Sequence, residues 1–237
     1  MIFVTSDLHG KFDCLEELLE NADFFDREDN RLYILGDVID RNNQGGIDIL
    51  KWIIDRPNVR LLLGNHEQML LASRQIFEDS ARTHISPSTA RILSRWKENG
   101  GEPTIHALKR ENADTRSKIL AYLEKCPLYE TIEISGRQYV LVHGGLGGFS
   151  HTKKLWEYTS DEVLWERPYL TTMYAPQKFT VIVGHTPTFL YGKQYQNRML
   201  KTQGWWNIDT GAATEAGVPM LLCLDTLCEY YLDPPSR

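Results

Sequence analysis

Aspartate, histidine and asparagine residues recur in this chain directly after short apolar runs of β-strand character. These side chains offer oxygen and nitrogen ligands, and together they form the ligand set of a two-metal hydrolase. Five groups follow this pattern. In chain order they are Asp7-Leu8-His9, Gly36-Asp37-Val38-Ile39-Asp40-Arg41, Gly64-Asn65-His66-Glu67, His143-Gly144-Gly145 and Gly184-His185-Thr186.

The apolar runs before these groups predict the strands that position them. They are Met1–Thr5, Leu32–Leu35, Val59–Leu63, Tyr139–Val142 and Thr180–Val183. Open α/β sheets place their sites at the carboxyl ends of strands, so we expect the polar groups to meet there. A lone histidine or aspartate is weak evidence, because it often serves as a turn or structural residue. Recurrence at five strand ends strongly favours a shared metal site.

Amphipathic segments between the strands predict an α/β fold. Residues 1–65 contain three strand–helix units, with helices over roughly 11–21 and 44–55, which favours a parallel sheet with right-handed crossovers. Residues 66–126 hold no strand-like run and predict a helical insertion beside the mouth of the site. Strand patterns then return. We therefore expect a single domain over residues 1–237, in which two packed mixed β-sheets are flanked by helices.

Local signals place some element boundaries. Ser86 followed by Pro87 predicts the start of a helix, with serine as the N-cap. Asp114 predicts the cap of another helix that ends near Leu123. Ser135-Gly136 lies between two apolar alternating runs and predicts a hairpin turn.

The amino-acid composition limits the classes of binding partner and the cellular location that we expect. The net charge of −6 argues against nucleic acid as a partner, because nucleic-acid binding needs a basic footprint. No apolar run approaches the length of a membrane-spanning helix, and the first residues lack a basic signal region, so we expect no membrane association. The four cysteines show no CxxC spacing, which suits reduced thiols and a cytoplasmic location.

The residues of the five groups and their order along the chain resemble the motifs of the calcineurin-like metallophosphoesterases. Within that family they are most similar to small bacterial and phage serine/threonine phosphoprotein phosphatases. Trp96 with Asn99–Thr104 is similar to a WxxNGGxxT stretch of those small members. Two positions depart from the family pattern, with Ser6 and Asn42 in places where glycine is more usual. Neither departure removes a ligand. The matching segments are Ser6-Asp7-Leu8-His9-Gly10, the three central groups given above, and Gly184-His185-Thr186-Pro187.

The resemblance implies a ligand set for two divalent ions. The ligands of one ion are then Asp7, His9 and the bridging Asp37, and those of the other are Asp37, Asn65, His143 and His185. A bridging carboxylate holds two cations about 3.5–4 Å apart, which suits direct attack of a bridging hydroxide on a phosphoryl group. Nitrogen and oxygen ligands without thiolates suit manganese, iron or zinc, and we expect manganese first.

The resemblance also implies the residues that handle the substrate. His66 is expected to protonate the leaving alcohol as a general acid, with Asp40 orienting its imidazole. Arg41 lies in the same motif as Asp40 and is expected to bind the phosphate through its planar guanidinium. Arg167 follows a Leu-Trp pair, where the family has its second phosphate-binding arginine.

These roles predict one-step hydrolysis of phosphate monoesters, by a serine/threonine protein phosphatase that acts on a phosphoprotein or a small phosphorylated substrate. An alternative is a dinucleoside polyphosphate hydrolase, acting for example on diadenosine tetraphosphate through the same two metals. A silent fold that only binds a partner is disfavoured, because every ligand and the acid are present. A nuclease is disfavoured because residues 66–126 lack an extended basic run interleaved with aromatic residues.

Overall fold

The computed structural model describes residues 1–42, 44–77, 85–175 and 177–233. In this part of the chain, strands and helices alternate at first, a helical stretch follows, and strands dominate the rest. The strands are β1 (Ile2–Thr5), β2 (Arg31–Ile34), β3 (Val59–Leu61), β4 (Tyr129–Ile134), β5 (Arg137–Val142), β6 (Phe179–Val183), β7 (Leu200–Lys201), β8 (Trp205–Asn207), β9 (Met220–Cys223) and β10 (Glu229–Tyr231). The helices are α1 (Phe12–Asn21), α2 (Ile47–Ile54), α3 (Asn65–Ala72), α4 (Pro87–Glu98), α5 (Glu102–Arg110), α6 (Ala113–Leu123) and α7 (Ser160–Leu164).

The strands form two five-stranded mixed sheets, which confirms the predicted fold class. The first sheet has the order β10-β9-β1-β2-β3, and its strands β1, β2 and β3 are parallel. The second sheet has the order β4-β5-β6-β8-β7, and its strands β5, β6 and β8 are parallel. Antiparallel strands complete both sheets. Each sheet therefore contributes three parallel strands whose carboxyl ends can carry a site.

Three apolar layers hold the sheets and helices together. Val4 and Leu222 of the first sheet and Leu141 of the second lie in the layer between the two sheets. Trp205 and Trp206 are consecutive in β8 and point to opposite faces, because side chains alternate along a strand. Both rings are buried, since the second sheet is covered by the first sheet on one face and by α7 and its loops on the other.

The helical boundaries agree with most local signals. Ser86 caps α4, and its hydroxyl oxygen accepts a hydrogen bond from the Thr89 backbone amide at 3.1 Å. The predicted cap at Asp114 is wrong, because Asn112 caps α6 and accepts from the Thr115 amide at 2.8 Å. The helix begins one residue before Asp114, which places that carboxylate in the first turn, where the helix dipole favours it.

The backbone conformation of glycine-containing connections explains other element boundaries. Helix α2 begins at Ile47 instead of near residue 44, because Gly46 adopts a φ of +73°, which lies outside the helical region. Glycine is required at this position, since a Cβ there would lie 2.1 Å from the Val38 carbonyl oxygen. Ser135 and Gly136 have φ values of +52° and +78°, as the predicted two-residue hairpin requires. The two-residue strand β7 is too short to leave a pattern in the sequence.

Residues 66–126 contain most of α3 and all of α4, α5 and α6, and their described part holds no strand. Residues 78–84, within the predicted insertion, lie outside the described residues. Trp96 of α4 and Leu108 of α5 are fully buried against the helices that cover the first sheet. None of the described helices combines the length and apolar character needed to cross a membrane.

Replacing Leu141 by alanine should destabilise the protein. Leu141 is fully buried between the sheets, and its truncation both removes apolar contact and leaves a cavity. We expect the free energy of unfolding, measured by urea denaturation, to fall by about 2–5 kcal/mol. Leu170→Ala is the control, because that side chain is 48% exposed. Equal midpoints for the two variants would contradict the packing of Leu141 between the sheets.

Candidate active site

Six parallel strands, three from each sheet, end at one shared cluster of polar side chains. The residues that follow β1, β2, β3, β5, β6 and β8 are Asp7, Asp37, Asn65, His143, His185 and Asp209. All six are buried. The sequence analysis gave Asp209 no role, and the signal available for it was the same as for the others, a polar residue directly after a strand.

The Asp37 carboxylate lies at the centre of this cluster. Its Oδ1 is 3.4 Å from the Nε2 of His143, whereas its Oδ2 is 3.9 Å from the Nε2 of His9 and 3.7 Å from the Nε2 of His66. Two groups of side chains could each hold a metal ion, namely His9 with Asp37 and His66, and Asp37 with His143 and His185. Asp37 belongs to both groups, as a bridging ligand must.

Hydrogen bonds to backbone carbonyl groups fix the orientation of two histidine rings. The Nδ1 of His9 donates to the Ile39 carbonyl at 2.8 Å, and the Nδ1 of His143 donates to the Leu35 carbonyl at 2.6 Å. Such outer bonds fix the tautomer and leave Nε2 for a metal. The Nε2 of His185 is buried and has no hydrogen-bond partner within the described residues. A buried, unpartnered ring nitrogen beside Asp37 fits the chemistry of a metal ligand.

Asp7 and Asn65, the two remaining predicted ligands, lie in the same buried cluster. The Oδ2 of Asp7 accepts a hydrogen bond from the backbone amide of His185 at 2.9 Å, which joins the two sheets across the site. The Ser6 hydroxyl donates to the same carboxylate oxygen. This contact gives the unusual serine a physical role. The Oδ1 of Asn65 lies 2.8 Å from the Nε2 of His143, which places these two predicted ligand atoms next to each other.

Mutual electrostatics shift the ionisation of the cluster. Burial alone would raise the pKa of Asp37, but His143 and His66 hold that pKa well below its usual range. Burial would lower the pKa of His143, but the charge of Asp37 raises it to about 10. Burial and the nearby His143 lower the pKa of His185 to about 2, so its ring stays neutral and able to bind a metal. Burial raises the pKa of Asp209 well above its usual value.

His66 and Asp40 form the pair expected of a general acid and its orienting carboxylate. The Nδ1 of His66 is 2.5 Å from the Oδ2 of Asp40, and both side chains are buried. The Nε2 of His66 faces Asp37 and lies 3.3 Å from the guanidinium of Arg41. Burial would lower the pKa of His66, but Asp37 and the hydrogen bond to Asp40 outweigh burial and raise it. The raised pKa favours the protonated imidazole that a general acid needs.

Several site residues adopt a backbone conformation that side chains usually avoid. Such positions are held by the surrounding structure and cluster at functional sites. Of the ten non-glycine residues with positive φ in the described part of the chain, six belong to the predicted site. They are Asp7, His9, Asp37, Asp40, Arg41 and His185.

Glu67 is a supporting residue to which the sequence analysis assigned no role. One oxygen of its fully buried carboxylate accepts backbone hydrogen bonds from Gly64 at 3.0 Å and from Asp37 at 2.8 Å. The other accepts from Val38 at 2.9 Å. Glu67 therefore ties the loop after β2 to the start of α3. Its position three residues after Gly64 is the reciprocal half of a capping box, a signal that the sequence contained.

The cluster opens into a cleft of about 210 Å³. Both predicted phosphate-binding arginine residues line this cleft. Arg41 lies beside His66, whereas Arg167 comes from the segment after α7 and donates a hydrogen bond to the Thr186 hydroxyl at 2.9 Å. Both arginine residues are exposed, so their guanidinium groups are available to an entering anion. Other lining residues are His9, Asp37, Asn65, His66, Asn99, Trp165, His185, Pro187, Leu190, Asp209 and Ala213.

Comparison with known families matches residues 1–208 to the calcineurin-like phosphoesterases. The chain belongs to this family. It is 28% identical over 146 residues to a symmetrical bis(5'-nucleosyl)-tetraphosphatase of Delftia acidovorans, across 61% of this chain and 44% of that protein. A protein of the same name from Salmonella paratyphi A is 38% identical over 145 residues, across 61% of this chain and 43% of that protein. The matches thus span less than half of the length of these relatives.

Solved structures share the fold at low sequence identity. One, provisionally assigned as a diadenosine tetraphosphatase, superposes with a TM-score of 0.65 at 15% identity and covers all of this chain and 94% of its own. A Saccharomyces cerevisiae serine/threonine phosphatase with similarity to human PP5 gives a TM-score of 0.53 at 15% identity, over 88% of this chain and 66% of its own. These structures show the same fold, and the family match over residues 1–208 confirms the predicted superfamily.

Replacing Asp37 by asparagine should weaken both metal positions. The change removes the charge shared by the two groups, so affinity should fall by more than the roughly 10–100-fold lost when a residue behind a ligand is changed. Manganese should raise the melting temperature of the unaltered protein and have much less effect on the variant. The exposed Asp55→Asn is the control. Two ions bound per chain of the Asp37 variant would exclude the bridging role.

Metal binding at pH 7 should release protons. The charge of Asp37 raises the pKa of His143 to about 10, so the ring carries a proton that a bound cation would displace. Affinity should therefore rise as the pH rises toward that value. Calorimetric titration in two buffers of different ionisation enthalpy measures the protons released. His106→Ala, at an exposed position, should leave the number unchanged. A heat independent of the buffer would contradict displacement of this proton.

Proposed function

We propose that this chain is a two-metal phosphoesterase that hydrolyses dinucleoside polyphosphates. The observation that carries phosphoester hydrolysis is the convergence of the Asp37 cluster, the His66–Asp40 pair and two arginine residues on one cleft. The choice of substrate rests on the curated relatives, which are named symmetrical bis(5'-nucleosyl)-tetraphosphatases and match 61% of this chain. They favour the dinucleotide alternative over the protein phosphatase that the motifs suggest first.

The metal ligands are proposed as the sequence analysis grouped them. Asp7, His9 and Asp37 hold one divalent ion, and Asp37, Asn65, His143 and His185 hold the other. When bound, two such ions activate a water for attack and neutralise charge on the phosphoryl group. Manganese is expected first, with iron and zinc as alternatives, because a set of only nitrogen and oxygen ligands suits all three metals.

The arginine residues bind and orient the phosphate chain. Arg41 and Arg167 line the same cleft, and a guanidinium can bind two phosphate oxygens in a fixed plane. A cleft of about 210 Å³ is smaller than typical drug-sized sites, so it suits phosphate groups with the rest of the substrate outside. Tyr169 lies two residues beyond Arg167 and is 77% exposed. Its exposed ring could stack with a base of the substrate, since any base offers a face to an aromatic side chain.

His66 supplies the proton to the departing oxygen. Its Nε2 faces the cleft while Asp40 holds its Nδ1, so the imidazole is oriented for transfer. A nucleoside diphosphate leaves readily and needs little help, whereas the alkoxide of a serine side chain needs protonation. The complete acid pair therefore favours a second candidate function, hydrolysis of serine or threonine phosphoesters.

The deciding experiment compares two substrates with the same manganese-loaded protein. Diadenosine tetraphosphate and a serine phosphopeptide are assayed side by side, with products separated by chromatography. We expect faster dinucleotide cleavage, with adenosine diphosphate as the sole nucleotide product of a symmetrical cut. Faster phosphopeptide cleavage would replace this proposal by the protein phosphatase. Turnover of neither would reject both substrates.

His66→Asn should slow the hydrolysis of esters in proportion to their need for a proton. Loss on phenyl phosphate should reach the roughly 10²–10⁴-fold typical of a general acid. Loss on p-nitrophenyl phosphate should be much smaller, because its leaving group is stable as an anion. The exposed His106→Asn serves as the control. An equal loss on both esters would count against the acid role.

A further inference from the structure

The segment Trp96–Thr104, termed the clamp segment below, carries the WxxNGGxxT pattern but supplies no proposed metal ligand. We propose that Trp96 and Thr104 are positioning residues, which fix the carboxylate of Asp40 and thereby the imidazole of His66 for proton transfer to the leaving group. This inference rests on the function proposed above and adds a task for the helical stretch beside the site. Its basis is a set of contacts around one buried carboxylate.

Both oxygens of Asp40 are held by the clamp segment. The indole Nε1 of Trp96 donates to Oδ2 at 2.7 Å, the same oxygen that contacts the Nδ1 of His66 at 2.5 Å. The hydroxyl of Thr104 donates to Oδ1 and in turn accepts from the Asp40 backbone amide at 2.9 Å. Each oxygen thus has its own donor from the segment, and the plane of the carboxylate is defined.

Burial makes these bonds decisive for orientation. Asp40, Trp96 and Thr104 are all fully buried, so no solvent molecule at the surface can replace a lost donor. The Thr104 hydroxyl also lies 3.0 Å from the carbonyl oxygen of Gly45. A charged carboxylate is the stronger acceptor, which favours the bond to Asp40.

The glycine residues of the clamp segment serve the same end. The Gly100 carbonyl accepts from the backbone amide of Arg41 at 2.9 Å, and a Cβ on Gly100 would lie 2.8 Å from the Arg41 Cγ. A Cβ on Gly101 would lie 2.5 Å from the Nε1 of Trp96, the atom that holds Asp40. Close approach of the segment to Asp40 and Arg41 therefore requires residues without side chains.

A purely structural role and a positioning role predict different losses. If the clamp segment only packs the core, removing a bond should weaken folding and affect all substrates alike. If it orients Asp40, the loss should pass through His66 and depend on how much the leaving oxygen needs a proton. The leaving-group dependence of the rate is therefore the informative measurement.

Thr104→Val keeps the shape of the side chain and removes the hydroxyl. With the manganese-loaded full chain, we expect kcat on phenyl phosphate to fall at least about tenfold more than kcat on 2,4-dinitrophenyl phosphate. Thr104→Ser, which retains the hydroxyl, should restore most of the loss. Thr180→Val, at a buried threonine in β6, is the matched control and should show no such difference. Metal content and melting temperature are measured for each variant.

The double variant His66→Asn with Thr104→Val identifies the route of the effect. If Thr104 acts through His66, the double variant should be no slower on phenyl phosphate than His66→Asn alone. Trp96→Phe provides a second test of the same carboxylate and should show the same leaving-group dependence.

Three results would overturn the inference. They are equal losses on both esters, a serine variant no better than the valine variant, and additive losses in the double variant. A metal-loaded, unaltered chain that hydrolyses no phosphate ester would instead reject the proposed phosphoesterase function, and the positioning role with it. Activity of the unaltered chain therefore tests the function, and the pattern among variants tests the inference.

Discussion

A carboxylate buried among imidazole rings is the constraint on which this structure depends. Asp37 is only 2% exposed, and a buried charge is costly unless opposite charges or metal ions face it. His143 supplies that charge, since Asp37 raises its pKa to about 10. The two sheets must therefore meet at Asp37, because His143 comes from the second sheet and Asp37 from the first. The contact between the two sheets at this point therefore also brings together the residues that could hold a metal ion.

The loops that carry the site are held in conformations that their sequences do not prefer. Left-handed backbone at residues such as Asp7, Asp37 and His185 costs about 1–3 kcal/mol each and persists only where the surroundings determine it. Glu67 helps to hold the backbone at Asp37 in this conformation, since its carboxylate accepts hydrogen bonds from three backbone amides around Gly64 and Asp37. The hydrogen bonds of this buried acid thus fix the loop after β2 against the start of α3, as a site with precisely placed side chains requires.

Local patterns predicted elements well and their junctions less well. The strands before Asp7, Asp37, Asn65, His143 and His185 were recognisable because each is a buried apolar run with a polar residue at its end. Asp114 was predicted as a helix cap because aspartate is a common N-cap residue. Asn112, two residues earlier, is the actual cap, because α6 begins at Ala113. Asp209 received no role although it also follows a strand, because no motif of the resembled family was matched to its position.

The sequence by itself determined the ligand types, their order along the chain and the family, because those features depend on residue identity and spacing. It also located the WxxNGGxxT pattern, without any indication of what that pattern touches. Only the tertiary structure decided that Trp96 and Thr104 hold the carboxylate of Asp40 and that Glu67 holds the loop of Asp37. It also added Asp209, at a sixth strand end, to the predicted cluster. Contacts across 56 or 64 residues depend on how helices pack over sheets, and no local pattern encodes that distance.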